Sequence, residues 1–168
     1  MHRVADINPR VIEALYTEAL VLADAARSRF DQLRSRAGDQ SHGHGLATAA
    51  AAEPDHVHMV EVTCEALRTT TRVMHCLAWL LNHRAWLAGQ ISTVQLRRHG
   101  RLISHFPASD ASIVSRLPAD LADLVAQSER LYARIQRLEL AWRDNGAAAA
   151  GAIERLRERL AQSTLRAS

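Results

Sequence analysis

The chain has 168 residues, 48% hydrophobic and 4% aromatic, with 21 basic against 18 acidic side chains and a formal charge of +3. Alanine (30) and leucine (21) dominate, a helical composition with too few β-branched residues for a sandwich or barrel. No apolar run reaches the ~18 residues of a membrane span, the polar N-terminus does not read as a signal peptide, and two cysteines cannot staple a secreted fold. A cytoplasmic helical domain is expected.

Asn8-Pro9 reads as N-cap and first position of a helix. Ile12, Leu15, Ala19, Leu22, Ala26, Phe30 and Leu33 follow at spacings of three and four, one apolar stripe. Gly38 predicts its stop, and 37–55, with its SHGHG and alanine runs, reads as a mobile loop. A second helix is expected from Asp55 to about Ala88, ending at Gly89, with Met59, Val62, Ala66, Thr70, Val73, Leu77, Leu80, Leu81 and Ala88 on one face.

Ser92 or Thr93 caps a shorter helix reaching about Phe106, and a connector leads to Leu117-Pro118. From there Leu117, Leu121, Leu124, Ser128, Leu131, Ile135, Leu138 and Trp142 repeat at 4-3-4-3-4-3-4, a coiled-coil-like seam. Residues 145–168 read as a flexible Ala/Arg-rich tail. The expected fold is all-α: residues 1–144 form an antiparallel three-helix bundle with an extra short helix between the second and third long ones.

Chemistry is sparse. His42-x-His44 and His56-x-His58 point apart on a helix, Cys64 and Cys76 are too far apart along one helix to pair, and no phosphate loop or nucleophile motif occurs. No enzyme, metal or cofactor is expected. Arg84, close to the second helix's apolar stripe, needs an acid such as Glu18 or Asp24.

The face opposite that stripe carries Trp79 and Trp86 one heptad apart, beside Arg68, Arg72, His75, Asn82 and His83. Two tryptophans there imply a cover: the short helix folding back, a second copy, or a different protein docking on a hot-spot-like surface. Arg130, Arg134 and Arg137 on the last helix form a second candidate surface. All 21 basic residues are arginine, nine up to residue 96 and twelve after it. Nucleic-acid association through the second half is the alternative, against which stand the small net charge and interspersed acids. A ligand site at His75, Trp79 and His83 is a third reading.

The segment 65–92, with Thr70-Thr71-Arg72-Val73-Met74, Trp79-Leu80-Leu81 and Arg84-Ala85, resembles the central helix of the regulator of CtrA degradation family. The segment 117–139, with Leu117-Pro118, Ser128, Leu131-Tyr132, Arg134 and Arg137-Leu138, is similar to that family's closing helix. The resemblance implies a cofactor-free adaptor: a dimeric three-helix bundle with a functional tail. Such an adaptor bridges a ClpX-type unfoldase, primed by a CpdR-like response regulator, to regulatory protein cargo, with recruitment to a cell pole. On that footing Ile153, Leu156 and Leu160, interleaved with Arg155, Arg157 and Arg159, are expected to contribute partner contacts. The longer 37–55 loop and the tail composition depart from the family pattern.

Overall fold

The computed structural model describes residues 8–43, 53–103 and 105–166, with side chains for 8–35, 57–103, 105–144 and 151–159. These residues form five helices and no strand: α1 (Pro9–Gly43), α2 (Glu53–Leu87), α3 (Thr93–His99), α4 (Ala111–Val114) and α5 (Ala119–Arg166). The all-α fold is as expected, with three long helices framing a core.

Helix α1 starts where the sequence places it, with the Arg10 amide donating to the Asn8 side chain at 3.0 Å. Its stripe from Ile12 to Phe30 is buried. It does not stop at Gly38 but continues to Gly43, and α2 begins at Glu53. The expected 37–55 loop is therefore shortened at both ends, and its centre, 44–52, lies outside the described residues. One interior glycine costs a helix only about 1 kcal/mol, too little to end it.

Helix α2 ends in a Schellman turn: Gln90 N–H bonds Ala85 C=O at 2.8 Å and Gly89 N–H bonds Trp86 C=O at 2.9 Å, with Gly89 at φ 72°. Helix α3 opens with a capping box between Ser92 and Gln95. It is half the expected length. Gly100 caps it, and the described residues from there to Asp110, whose side chain caps α4, are non-helical.

Cross-helix contacts give the topology. Arg29 pairs with Asp120 and Arg134 with Glu18, so α5 runs antiparallel to α1. Arg84 pairs with Glu13, so α2 also runs antiparallel to α1. Arg72 meets Ser128, and Trp86 meets Trp142, so α2 and α5 run parallel. Parallel neighbours need a return path, and residues 88–118 supply it along the groove between them, bringing Arg116 back to Glu61. The short third element is thus the start of a crossover.

The antiparallel register sets Arg84 level with Glu13, at 2.7 Å, and stacks its guanidinium over Tyr16. The partners expected from sequence, Glu18 and Asp24, are not the ones used.

Helix α5 runs unbroken to Arg166, 48 residues, through Asn145-Gly146 where a tail was expected to begin. The alanines at 147–150 and 152 are the strongest helix formers and offset the cost of that dipeptide. Among the described residues, the last side chain packed on the core is Trp142, and none from Ala152 to Arg159 is buried. At 1.5 Å per residue, 145–166 extend the helix about 33 Å further.

Candidate functional site

Arg72, expected on an outer face, is 2% exposed at the centre of the molecule. Its guanidinium donates to Ser128 Oγ at 2.6 Å, Ser109 Oγ at 3.0 Å and the Pro107 carbonyl at 3.3 Å, and lies 3.5 Å from Glu129. It also sits 5.2 Å from the centre of the Phe106 ring. Burial pulls its pKa below the ordinary arginine value, opposed by Glu129 and Glu65. Glu65, fully buried, accepts from Ser109 Oγ and from Arg68 at 2.8 Å.

This network fixes the crossover, because an extended segment has no internal partners for its backbone. Glu139 accepts the Leu102 N–H at 3.0 Å, Tyr132 donates to the Ile103 carbonyl, and Glu129 accepts the Ser109 N–H at 2.9 Å. Between crossover and α5 lies an open cleft of about 540 Å³ lined by Arg72, His105, Phe106, Glu129, Tyr132 and Gln136. Glu65, Glu129, Tyr132 and Glu139 carry this architecture, and the sequence reading did not single them out. Glu65 and Glu139, lone acids among inward apolar positions, were the available signal.

The chain itself covers Trp79 and the inner side of Trp86. Trp79 is 1% exposed, and His83 stacks on it at 3.6 Å. Trp142 of α5 meets His83 edge-on at 5.6 Å and Trp86 at 6.2 Å. Trp86 Nε1 donates to Thr93 of α3 at 3.2 Å. The short helix folding back accounts for part of the cover and α5 for the rest. Trp79 and Arg72 are therefore interior residues, and of the three only Trp86 remains half-exposed. His83 Nδ1 bonds the Trp79 carbonyl at 2.9 Å, which fixes the proton on Nδ1, and burial lowers its pKa. His75 leaves this group and meets Phe106 edge-on at 5.8 Å.

Arg130, Arg134 and Arg137 are exposed along α5. Arg134 is engaged, its Nη1 donating to both carboxylate oxygens of Glu18 at 2.8 and 2.9 Å. Further along the same helix Ile153, Arg155, Leu156, Arg157 and Arg159 are exposed, while the Leu160 side chain lies outside the described residues. The two surfaces share one helix but not one site.

Among the described residues no three His, Cys, Asp or Glu side chains converge as for a metal. The His42, His44 and His56 side chains lie outside them. Cys64 is an exposed free thiol, and burial pushes the Cys76 thiol up to about 12, where it is inert at neutral pH. No described helix is long and apolar enough to cross a membrane. No curated protein and no solved structure matches the chain. A family model described as "Protein of unknown function (DUF1465)" matches residues 4–164, nearly the whole chain, and the chain belongs to that family.

Proposed function

We propose that this protein is a non-enzymatic adaptor that brings regulatory proteins to a ClpXP-type protease through protein–protein contacts. The resemblance of 65–92 and 117–139 to the regulator of CtrA degradation family suggests the partners: a ClpX-type unfoldase, a CpdR-like receiver protein and regulatory cargo. The observation that carries the reading is the end of α5, which leaves the bundle as a helix with Ile153 and Leu156 exposed between Arg155, Arg157 and Arg159. An apolar stripe flanked by arginines suits a groove with an acidic rim. Meanwhile Arg72, Glu65, Glu129, Tyr132 and Glu139 are engaged in tying the crossover.

The arginines give the nucleic-acid alternative little support. In the second half, Arg116 and Arg134 each pair with an acid on another helix, which takes up part of the charge that phosphate binding would use.

The test is binding of purified ClpX-type and CpdR-like proteins from the same organism to the full chain and to a form ending at Asp144. The full chain is expected to bind and the shortened one to lose binding while keeping its thermal transition, since the last core contact among the described residues is Trp142. Equal binding by both forms would remove the end of α5 from the mechanism. No binding by either would overturn the adaptor reading.

A further inference from the structure

From Ala66 to Ser109 the sequence holds six arginines and no acid, and three of the six fall in Arg97-Arg98-His99-Gly100-Arg101. Elsewhere the fold pairs its arginines: Arg68 with Glu65, Arg84 with Glu13, Arg116 with Glu61 and Arg134 with Glu18. Among the described residues Arg97, Arg98, Arg101 and Arg143 form no such pair, and all four are exposed. The crossover gathers them on one side of the molecule. Arg101 Nε donates to the Arg97 carbonyl at 3.2 Å, the next residue's N–H is held by Glu139 of α5, and the charges of Arg101 and Arg143 both act on that carboxylate. Glu139 is turned inward, 7% exposed, so the surface presents four cations over one shielded acid. Asp144 leaves α5 about 100° round from Arg143.

The segment that carries the arginines is held in place. Leu96 anchors α3 in the interior, and Asn82 of α2 donates to the His99 carbonyl at 3.4 Å. A Cβ at Gly100 would meet the Leu96 carbonyl oxygen at 2.7 Å, so the turn into Arg101 takes glycine. Apolar side chains lie on the same three elements as the cations: Val94 of α3 is 70% exposed, Ile103 of the crossover 46% and Leu140 of α5 51%. A fixed surface that mixes arginine with exposed aliphatic groups loses little freedom on binding and has the composition of a contact surface.

We propose that this face binds an acidic segment of another protein, one in which carboxylates alternate with apolar side chains. Charge complementarity selects the acids, and Val94, Ile103 and Leu140 select their apolar neighbours. The chain has no such segment of its own to lay there: the residues outside those described contain a single acid, Asp6. A nucleic-acid backbone would use the arginines but leave the aliphatic groups unmatched. The surface is separate from the end of α5, and the proposal does not depend on the adaptor reading.

The test is fluorescence anisotropy of a labelled peptide of alternating Glu and Leu, titrated with the full chain at about 0.15 M salt. Saturable binding is expected. The double variant Arg97→Glu/Arg98→Glu is expected to weaken it at least about 10-fold, with the melting temperature kept because both side chains are exposed. Arg27→Glu/Arg34→Glu makes the same change of charge in the part of α1 level with the start of α5, and is expected to change binding less than about 2-fold. A peptide with serine in place of leucine is expected to bind more weakly. No binding by the native chain, equal losses in the two variants, or equal binding of the serine peptide would overturn the proposal. So would a DNA duplex of arbitrary sequence that binds this face more tightly than the peptide. Neither unfoldase nor receiver protein is present, so the outcome is read apart from the adaptor reading.

Discussion

Replacing Arg72 with leucine is the perturbation that tests the interior most directly. The substitution removes bonds to Ser128 Oγ, Ser109 Oγ and the Pro107 carbonyl, and a 3.5 Å approach to Glu129. Apolar packing is retained in part. What remains behind is the larger cost: Ser128 is fully buried and loses its donor, and Glu65, fully buried, is left with Arg68 and one nearby cation fewer. Breaking a buried charged network from one side costs about 3–5 kcal/mol, a large share of the ~5–15 kcal/mol typical of a whole domain. Urea denaturation followed by circular dichroism at pH 7 measures it. A second variant locates the cost. Adding Glu65→Gln to Arg72→Leu neutralises the stranded carboxylate and is expected to recover about 1–3 kcal/mol. A loss below about 1 kcal/mol for Arg72→Leu, or no recovery in the double variant, would show that the network does not hold the crossover.

Three further predictions concern His83, Glu139 and Ser92. Because burial lowers the folded-state pKa of His83 below the unfolded value near 6.5, the unfolded chain binds the extra proton. The stability due to neutral His83 is full above pH ~6.5 and declines as pH falls through the lowered value, by up to about 1.4 kcal/mol per pH unit. Melting temperatures from pH 5 to 7 are expected to rise with pH, and His83→Gln to flatten that rise. Burial raises the pKa of Glu139, which works in the opposite direction and loses stability as pH climbs through its raised value, so Glu139→Gln is expected to steepen the curve. Ser92→Ala removes one half of the α3 capping box and is expected to cost about 1 kcal/mol by chemical denaturation.

The two single-striped helices were legible because their rule is local. Ile12, Leu15, Ala19, Leu22, Ala26 and Phe30 recur on one side of α1, and all are buried. So are Leu121, Leu124, Leu131 and Ile135 of α5, and Leu117 just ahead of it. Helix α2 was read less well. Of the face assigned to its core, Thr70, Leu81 and Ala88 are exposed, while Glu65, Thr69, Arg72 and His83 point inward. The partners of Arg72 and Glu65, Ser109 and Ser128, lie 37 to 56 residues away, beyond the reach of periodicity. Helix ends failed for a different reason. Gly38 and Asn145-Gly146 are weak breakers, and a strongly helical neighbourhood outweighs about 1 kcal/mol per residue.

The inversion of α2 has one physical origin. A crossover of extended chain between two parallel helices brings backbone N–H and C=O groups into a place where water is scarce. Helices on either side must then offer polar side chains inward, and they do: Arg72 and Glu65 from α2, Glu129, Tyr132 and Glu139 from α5. Buried polar groups of this kind fix a path more than they add stability. That reasoning explains why polar residues occupy the inner side of α2, and it leaves the outer side unexplained. A helix that spends its inward positions on arginine and glutamate has no internal need for Leu67, Met74 and Leu81 on its outside. Apolar residues so placed carry a solubility cost that the crossover does not explain.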